Sequence, residues 1–109
     1  MKKVFLFALA GIFATNIHAQ QKLTAKTETT KLEWLGEKVT GDHTGTINLQ
    51  SGILVWGENK IVSGEFTIDM TSIKDVDNNA RLEGHLKSED FFGVEKFPVS
   101  KLVLTGSTP

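Results

Sequence analysis

The chain contains no cysteine and only two prolines among its 109 residues. Without cysteine no disulfide can form, and there is no thiol on which a lipid could be attached. Neither sign of charge predominates, because the sequence has 12 basic and 13 acidic side chains. We therefore expect no nucleic acid as a partner, since phosphate backbones are bound by basic surfaces.

The N-terminus carries an export pattern. Met1-Lys2-Lys3 is a basic start, Val4 to Ile17 is mostly apolar, and Ile17-His18-Ala19 before Gln20 resembles a signal-peptidase site. The pattern predicts a cleaved signal peptide at residues 1–19 and a periplasmic mature domain at 20–109. A membrane anchor is the alternative, but the apolar stretch is shorter than the ~20 residues that cross a bilayer. We expect no stable membrane span after cleavage.

The mature part has the size of one small domain. Cleavage would leave 90 residues with a net charge of about -3. No internal repeat, charge run or low-complexity tract indicates a linker or a disordered tail. Without disulfides, such a domain must be stabilised by burial alone.

Alternating apolar and polar residues predict antiparallel strands. Leu32 and Trp34 share one side of a first strand, and position 39 begins a second alternation whose first face is Val39, Gly41, His43, Gly45, Ile47 and Leu49. Gln50-Ser51-Gly52 and the segment from Gly57 to Lys60 predict turns on either side of a short strand, Ile53 to Trp56. The return strand has its own apolar face, formed by Val62, Gly64, Phe66, Ile68 and Met70.

A short helical crossover follows. Asp77-Asn78-Asn79 predicts an N-cap, and Leu82, His85 and Leu86 recur at helical spacing. Ser88 starts a second helical turn, which contains Phe91 and Phe92 and stops at Gly93. Phe97-Pro98 then marks the start of a strand from Val99 to Thr105.

These elements predict an all-β domain with a short helical crossover. Only about five strands are visible, and they would leave an unpaired sheet edge and an uncovered apolar face. We therefore expect a barrel that is truncated at its C-terminus. The oligomeric state stays open, a homodimer included.

Three ordered motifs resemble the YceI-like family. They are Trp34-Leu35-Gly36 with the segment Lys38 to Gly45, then Gly64 to Ile73, and then the stretch Leu82 to Pro98. The resemblance covers roughly Leu32 to Thr105. It implies a lipocalin-like antiparallel barrel of eight strands, three of them absent here, whose interior holds a polyisoprenoid. Lys74 to Ala80 departs from the motifs in a region of variable length.

The candidate ligand-binding residues combine the inward strand face with the helical stripe. An eight-stranded barrel either packs solid or holds one ligand, and the resemblance favours a ligand. His43, between two glycines, has room for a headgroup, although a hydrogen-bonded structural histidine is an equal alternative. The predicted set is Trp34, His43, Ile47, Phe66, Ile68, Met70, Leu82, His85, Leu86, Phe91 and Phe92.

The predicted function is to bind, and to carry or sequester, an isoprenoid-type apolar lipid. We expect no catalytic residue, no metal and no cofactor other than a bound isoprenoid lipid or quinone-like molecule. Two other interpretations stay open, a periplasmic enzyme that uses His43 as a base and a solidly packed stress-related interaction module. A metal held by His43 and His85 would lack the further ligands that zinc requires.

Overall fold

The computed structural model describes residues 20–109, so the predicted signal peptide at 1–19 lies outside the described residues. Within these residues, five strands and one helix follow one another. They are β1 (Gln21–Thr24), β2 (Leu32–Lys38), β3 (Gly41–Gly57), β4 (Lys60–Asp75), α1 (Ala80–Lys87) and β5 (Val99–Leu104).

The long strand β3 organises the sheet. One of its edges pairs with β4 along most of its length, and β5 continues the sheet beyond β4. Its other edge pairs first with β2 and then, further along, with β1. Every pairing is antiparallel, and the sheet curls into a half-barrel with one short helix, which confirms the predicted lipocalin-like fold class.

The turn predicted at Gln50-Ser51-Gly52 is wrong. Strand β3 runs through these positions with a bulge between Leu49 and Ser51, and Gly52 lies opposite Phe66. A Cβ at position 52 would stand 2.5 Å from the ring of Phe66. The glycine therefore belongs to the strand interior, where it makes room for an aromatic ring, rather than to a turn.

The predicted place of Val39 is also wrong. Val39 is fully exposed in the two-residue connection between β2 and β3, so the inward alternation begins only at Gly41. The second predicted turn is confirmed. Glu58 and Asn59 have φ values of 55° and 62°, the left-handed conformation that a two-residue hairpin turn requires.

Helix α1 begins where the sequence predicts. The side chain of Asn79 accepts a hydrogen bond from the backbone N–H of Leu82 at 3.1 Å, which satisfies one of the free donors of the first turn. The second helical turn predicted from Ser88 is instead an irregular hydrogen-bonded turn, in which the N–H of Gly93 donates to the Ser88 carbonyl at 2.8 Å. Gly93 has a φ of 52°, so the chain reverses there and does not continue as a helix.

The hydrophobic core lies beneath α1. Its buried apolar side chains come from β3, β4, the helix and the turn after it, and they are Leu49, Met70, Ile73, Leu86 and Val94. The helix packs on β4. The register places Phe66 and Ile68 opposite Gly52 and Leu49, which confirms that these two strands present one common face.

Candidate functional site

The end of the sheet beneath α1 contains a cavity of about 480 Å³. The end of β2, the start of β3, the end of β4, the helix and the turn after it all contribute to its walls. The lining residues are Trp34, Leu35, Gly36, Glu37, Lys38, His43, Ile73, Leu82, His85, Leu86, Phe91 and Phe92. Cavities of this volume with mostly apolar walls are typical of sites for small ligands.

The helix and the sheet each contribute an apolar wall. Leu82, His85 and Leu86 lie at i, i+3 and i+4 on α1, so all three side chains project from one helical stripe. Ile73 lies near the end of β4 and is buried, as is Leu86. These two side chains make the best protected part of the lining.

The position of Trp34 depends on a hydrogen bond to Lys74 and on the glycine at position 45. Its Nε1 donates a hydrogen bond to the carbonyl oxygen of Lys74 at 3.0 Å. Gly45 lies opposite Trp34 in the pairing of β2 with β3, and a Cβ there would stand 2.7 Å from the indole ring and 1.8 Å from the Lys74 carbonyl oxygen. Glycine at position 45 therefore lets the indole lie flat against the sheet as a wall of the cavity.

Aromatic rings form the outer rim. The rings of Phe91 and Phe92 meet edge to face with centroids 5.7 Å apart, and His85 meets Phe91 in the same way at 5.4 Å. Edge-to-face packing of this kind stabilises a pair of rings beyond the apolar area that it buries. Both phenylalanines are nevertheless exposed, so the rim presents apolar surface to solvent.

A buried carboxylate ties the helix to the sheet. Asp75, at the end of β4, is 3% exposed, and its Oδ2 accepts hydrogen bonds at 3.1 Å from the backbone N–H groups of Asp77 and Asn79. The N–H of Asp75 in turn donates to Glu83 Oε2 on α1 at 2.9 Å, and Lys74 Nζ lies 3.9 Å from the same oxygen. These contacts set where α1 crosses the sheet. Asp75 Oδ1 has no hydrogen-bond partner in the described part of the chain.

The titratable residues of the lining are two histidines, one lysine and one glutamate. His43 lies on β3 opposite Gly36, and His85 lies on α1. Within residues 20–109, neither imidazole makes a hydrogen bond or an ion pair. The same residues contain no group of three or more acidic, histidine or cysteine side chains placed to hold a metal ion.

A family model described as a YceI-like domain matches residues 19–109 of the sequence. The chain belongs to this family. Comparisons with curated proteins and with solved structures gave no match. The YceI-like domain is a binding-type domain. No helix among residues 20–109 has the length and apolarity needed to cross a membrane.

The structure brings together seven of the eleven residues that the YceI-like motifs and strand patterns predict as ligand contacts. The seven that line the cavity are Trp34, His43, Leu82, His85, Leu86, Phe91 and Phe92. The other four, Ile47, Phe66, Ile68 and Met70, lie on the strands outside the cavity lining. Whether any of the eleven contacts a ligand stays a prediction.

The sequence patterns missed the end of β2 and one residue of β4. Residues Leu35 to Lys38 line the cavity, although apolar and polar residues do not alternate clearly in this segment. Ile73 was missed because β4 is irregular after Met70, where Ser72 Oγ accepts from the N–H of Asn48 and donates to the Asp69 carbonyl. A bulge of this kind moves the next apolar residue three positions on instead of two.

Proposed function

We propose that this YceI-like protein binds a long apolar lipid of the isoprenoid type and carries or sequesters it, without catalysing a reaction. The observation that carries the proposal is the cavity beneath α1, which lies at one end of the apolar face of the curled sheet. Membership of a family known for polyisoprenoid binding supports the same ligand class.

Burial of hydrocarbon provides enough free energy for such binding. Each methylene group that leaves water contributes about 0.8 kcal/mol, so a chain of several isoprene units can bind tightly with few polar contacts. The cavity walls offer tryptophan, phenylalanine, leucine and isoleucine side chains to that hydrocarbon. A space of this volume also favours a ligand over a solidly packed interior.

We propose further that the protein works in the periplasm. The support is the basic and then apolar order of residues 1–19, with small residues before Gln20.

Mass spectrometry of protein purified gently from the periplasm of its own host tests both proposals with separate readouts. An organic extract should contain a stoichiometric apolar species accompanied by relatives that differ by isoprene units. The intact mass should correspond to a chain that starts at Gln20. Protein that is empty and also fails to take up added polyprenyl lipid would contradict the binding function, whereas a retained N-terminus would contradict only the exported form.

A pair of glycine variants tests whether the cavity is the binding site. A Cβ at Gly36 would stand 3.7 Å from the Trp34 ring and 3.9 Å from the His43 carbonyl oxygen, so we expect Gly36→Leu to fit the strand and to occupy part of the cavity. Gly84 on α1 has no atom within 4 Å of a Cβ, which makes Gly84→Leu the matched control. We expect Gly36→Leu to weaken uptake of polyprenyl lipid at least about tenfold and Gly84→Leu to leave it unchanged. Equal uptake by both variants would place the ligand elsewhere.

A further inference from the structure

The segment between β4 and β5 is bound to the sheet along one side. Residues 79–97, which we call the lid, contain α1 and the turn after it. The backbone N–H of Asn79 donates to Asp75 Oδ2 at 3.1 Å, and the N–H of Asp75 donates to Glu83 Oε2 at 2.9 Å. The same oxygen of Glu83 lies 3.9 Å from Lys74 Nζ. Because Lys74 and Asp75 are the last two residues of β4, these polar contacts all lie on the β4 side of the lid.

The chain is also fixed on either side of the lid. Before the lid, the N–H of Val76 donates to the carbonyl of Thr44 on β3 at 2.9 Å. After the lid, the carbonyl of Pro98 accepts from the N–H of Met70 on β4 at 2.9 Å. With both ends held by neighbouring strands, the movement that remains to the lid is a rotation about the end of β4.

The opposite side of the lid borders the cavity. The cavity walls include Phe91 and Phe92 of the lid and residues 35–38 of β2. Among residues 20–109, no hydrogen bond or ion pair joins the lid to β2 or to the first residues of β3. Phe91 and Phe92 are 56% and 43% exposed, so this edge of the lid is not buried against β2.

The lid has internal contacts that allow it to move as one body. The N–H of Phe92 donates to the Leu86 carbonyl at 3.0 Å, which joins the turn to the helix. The ring of Phe91 packs edge to face on both His85 and Phe92. A rotation of the whole lid would keep these contacts. Its buried apolar side chains, Leu86 and Val94, would lose their cover.

We propose that the lid rotates on its β4 side and opens the cavity along β2, with Glu83 as the residue that holds it closed. Local openings cost less free energy than global unfolding, and segments with few buried side chains open most readily. Glu83 is a positioning residue, since it acts through the N–H of Asp75 and not on a ligand. The lid goes beyond the proposed function, and only its use as the entry route for a lipid rests on that function.

A buried thiol can report lid opening, because the sequence contains no cysteine. Ile73, which is 4% exposed, is replaced by cysteine in the whole protein, and its labelling by dithiobis(nitrobenzoate) is timed at increasing urea concentration. We expect a labelling rate that depends only weakly on urea at low concentration, because a local opening exposes little surface. Labelling that follows global unfolding at every urea concentration would contradict the lid. Val94→Cys, a smaller change in volume, gives the same measurement if Ile73→Cys fails to fold.

Variants at Glu83 test what holds the lid closed. In the Ile73→Cys protein, Glu83→Ala removes the acceptor of the Asp75 N–H and should speed labelling about two- to tenfold, the usual effect of one lost hydrogen bond. Glu83→Gln retains an acceptor oxygen and should reverse most of this change. The control is Glu89→Ala, which breaks an exposed ion pair with Lys96 inside the lid and should leave the rate unchanged. Equal acceleration by Glu83→Ala and Glu89→Ala would contradict the role of Glu83.

Uptake kinetics test whether the lid is the entry route. Binding of farnesol is followed by the fluorescence of Trp34, which lines the cavity, in a Trp56→Phe background. Glu83→Ala should raise the association and dissociation rate constants by similar factors and leave Kd nearly unchanged, because the closed lid loses the same contact in the free and the bound protein. Unchanged rate constants in a variant whose thiol labelling is faster would show that the lipid enters elsewhere.

The lid and the proposed function fail in different ways. Thiol labelling needs no lipid, so it decides on the lid alone. If labelling shows a local opening and no isoprenoid binds, the lid stands and the proposed function is wrong. If isoprenoids bind and labelling follows global unfolding, the proposed function stands and the lid is wrong.

Discussion

The inner face of the sheet differs sharply between its two ends. At the covered end, formed by β2, the first part of β3, the end of β4 and α1, Ile73 and Leu86 are 4% and 8% exposed. At the open end, formed by β1, β5 and the strand segments that they pair with, Leu23 and Leu102 are 47% and 52% exposed. Strands of the same alternating type thus bury their apolar residues only where a second layer covers them.

The difference depends on a small number of polar contacts. Asp75 and Glu83 bind the loop and the helix to the end of β4, and Asn79 caps the helix that carries Leu86 across the sheet. An eight-residue helix is too short to be stable by itself in water, so its packing and these contacts must hold it there. Substitutions at the two ends should therefore have unequal effects.

The largest expected effect is at the covered end. Leu86→Ala removes a buried side chain from beneath α1 and should reduce the free energy of unfolding by about 2–5 kcal/mol. Leu102→Ala, the matched change on half-exposed β5, should cost less than about 1 kcal/mol, because little burial is lost. Urea denaturation of both variants measures the difference. Similar losses would mean that the open end is covered in solution.

An intermediate effect is expected at the glycine beneath the indole. Gly45→Ala places a methyl group against the Lys74 carbonyl and the Trp34 ring, and the resulting strain should cost about 1–3 kcal/mol. Gly84→Ala, in the open surface of α1, should instead stabilise the protein by up to about 1 kcal/mol. Thermal unfolding with near-ultraviolet circular dichroism would report both stability and the indole environment. An unchanged spectrum and midpoint for Gly45→Ala would contradict the close packing at position 45.

The smallest expected effect concerns two lysine–glutamate ion pairs, one at each end of the sheet. Lys101 and Glu65 join at 3.2 Å on the exposed side of the open end, and Lys101→Gln should change stability by at most about 0.5 kcal/mol. Lys74→Gln should cost more, although still under about 1 kcal/mol, because its partner Glu83 is largely buried beside α1. Denaturation at low and at high salt measures both. A larger loss from Lys101→Gln would contradict the expected ranking of the two ends.

Much of the fold follows from alternation and local signals. The strand faces around His43 and Phe66, the hairpin at Glu58 and Asn59 and the helix cap at Asn79 are all confirmed. Gly52 was misassigned because a glycine after two polar residues locally indicates a turn. Here the glycine instead leaves room for the ring of Phe66 on the neighbouring strand. The prediction for Val39 was wrong for a related reason. The alternating pattern extends back into the connection between β2 and β3, which pairs with no other strand.

The candidate site was predictable in part. His85 and Leu86 were found because helical spacing places them on one stripe, and His43 because it lies on an alternating strand. Residues Leu35 to Lys38 were not found, since their part in the lining depends on where α1 crosses the sheet. That position is set by the buried carboxylate of Asp75, whose partners lie two and four residues further on in the loop.

The sequence by itself determined where most of the strands lie, where the helix begins and that one sheet face is apolar, because alternation, capping and turn chemistry act over a few neighbouring residues. The sequence also contains the motifs that predicted membership of the YceI-like family. Only the tertiary structure decided which part of that face becomes a cavity and which glycines lie beneath aromatic rings. Those outcomes depend on contacts such as Trp34 with Lys74, 40 residues apart, which no local pattern encodes.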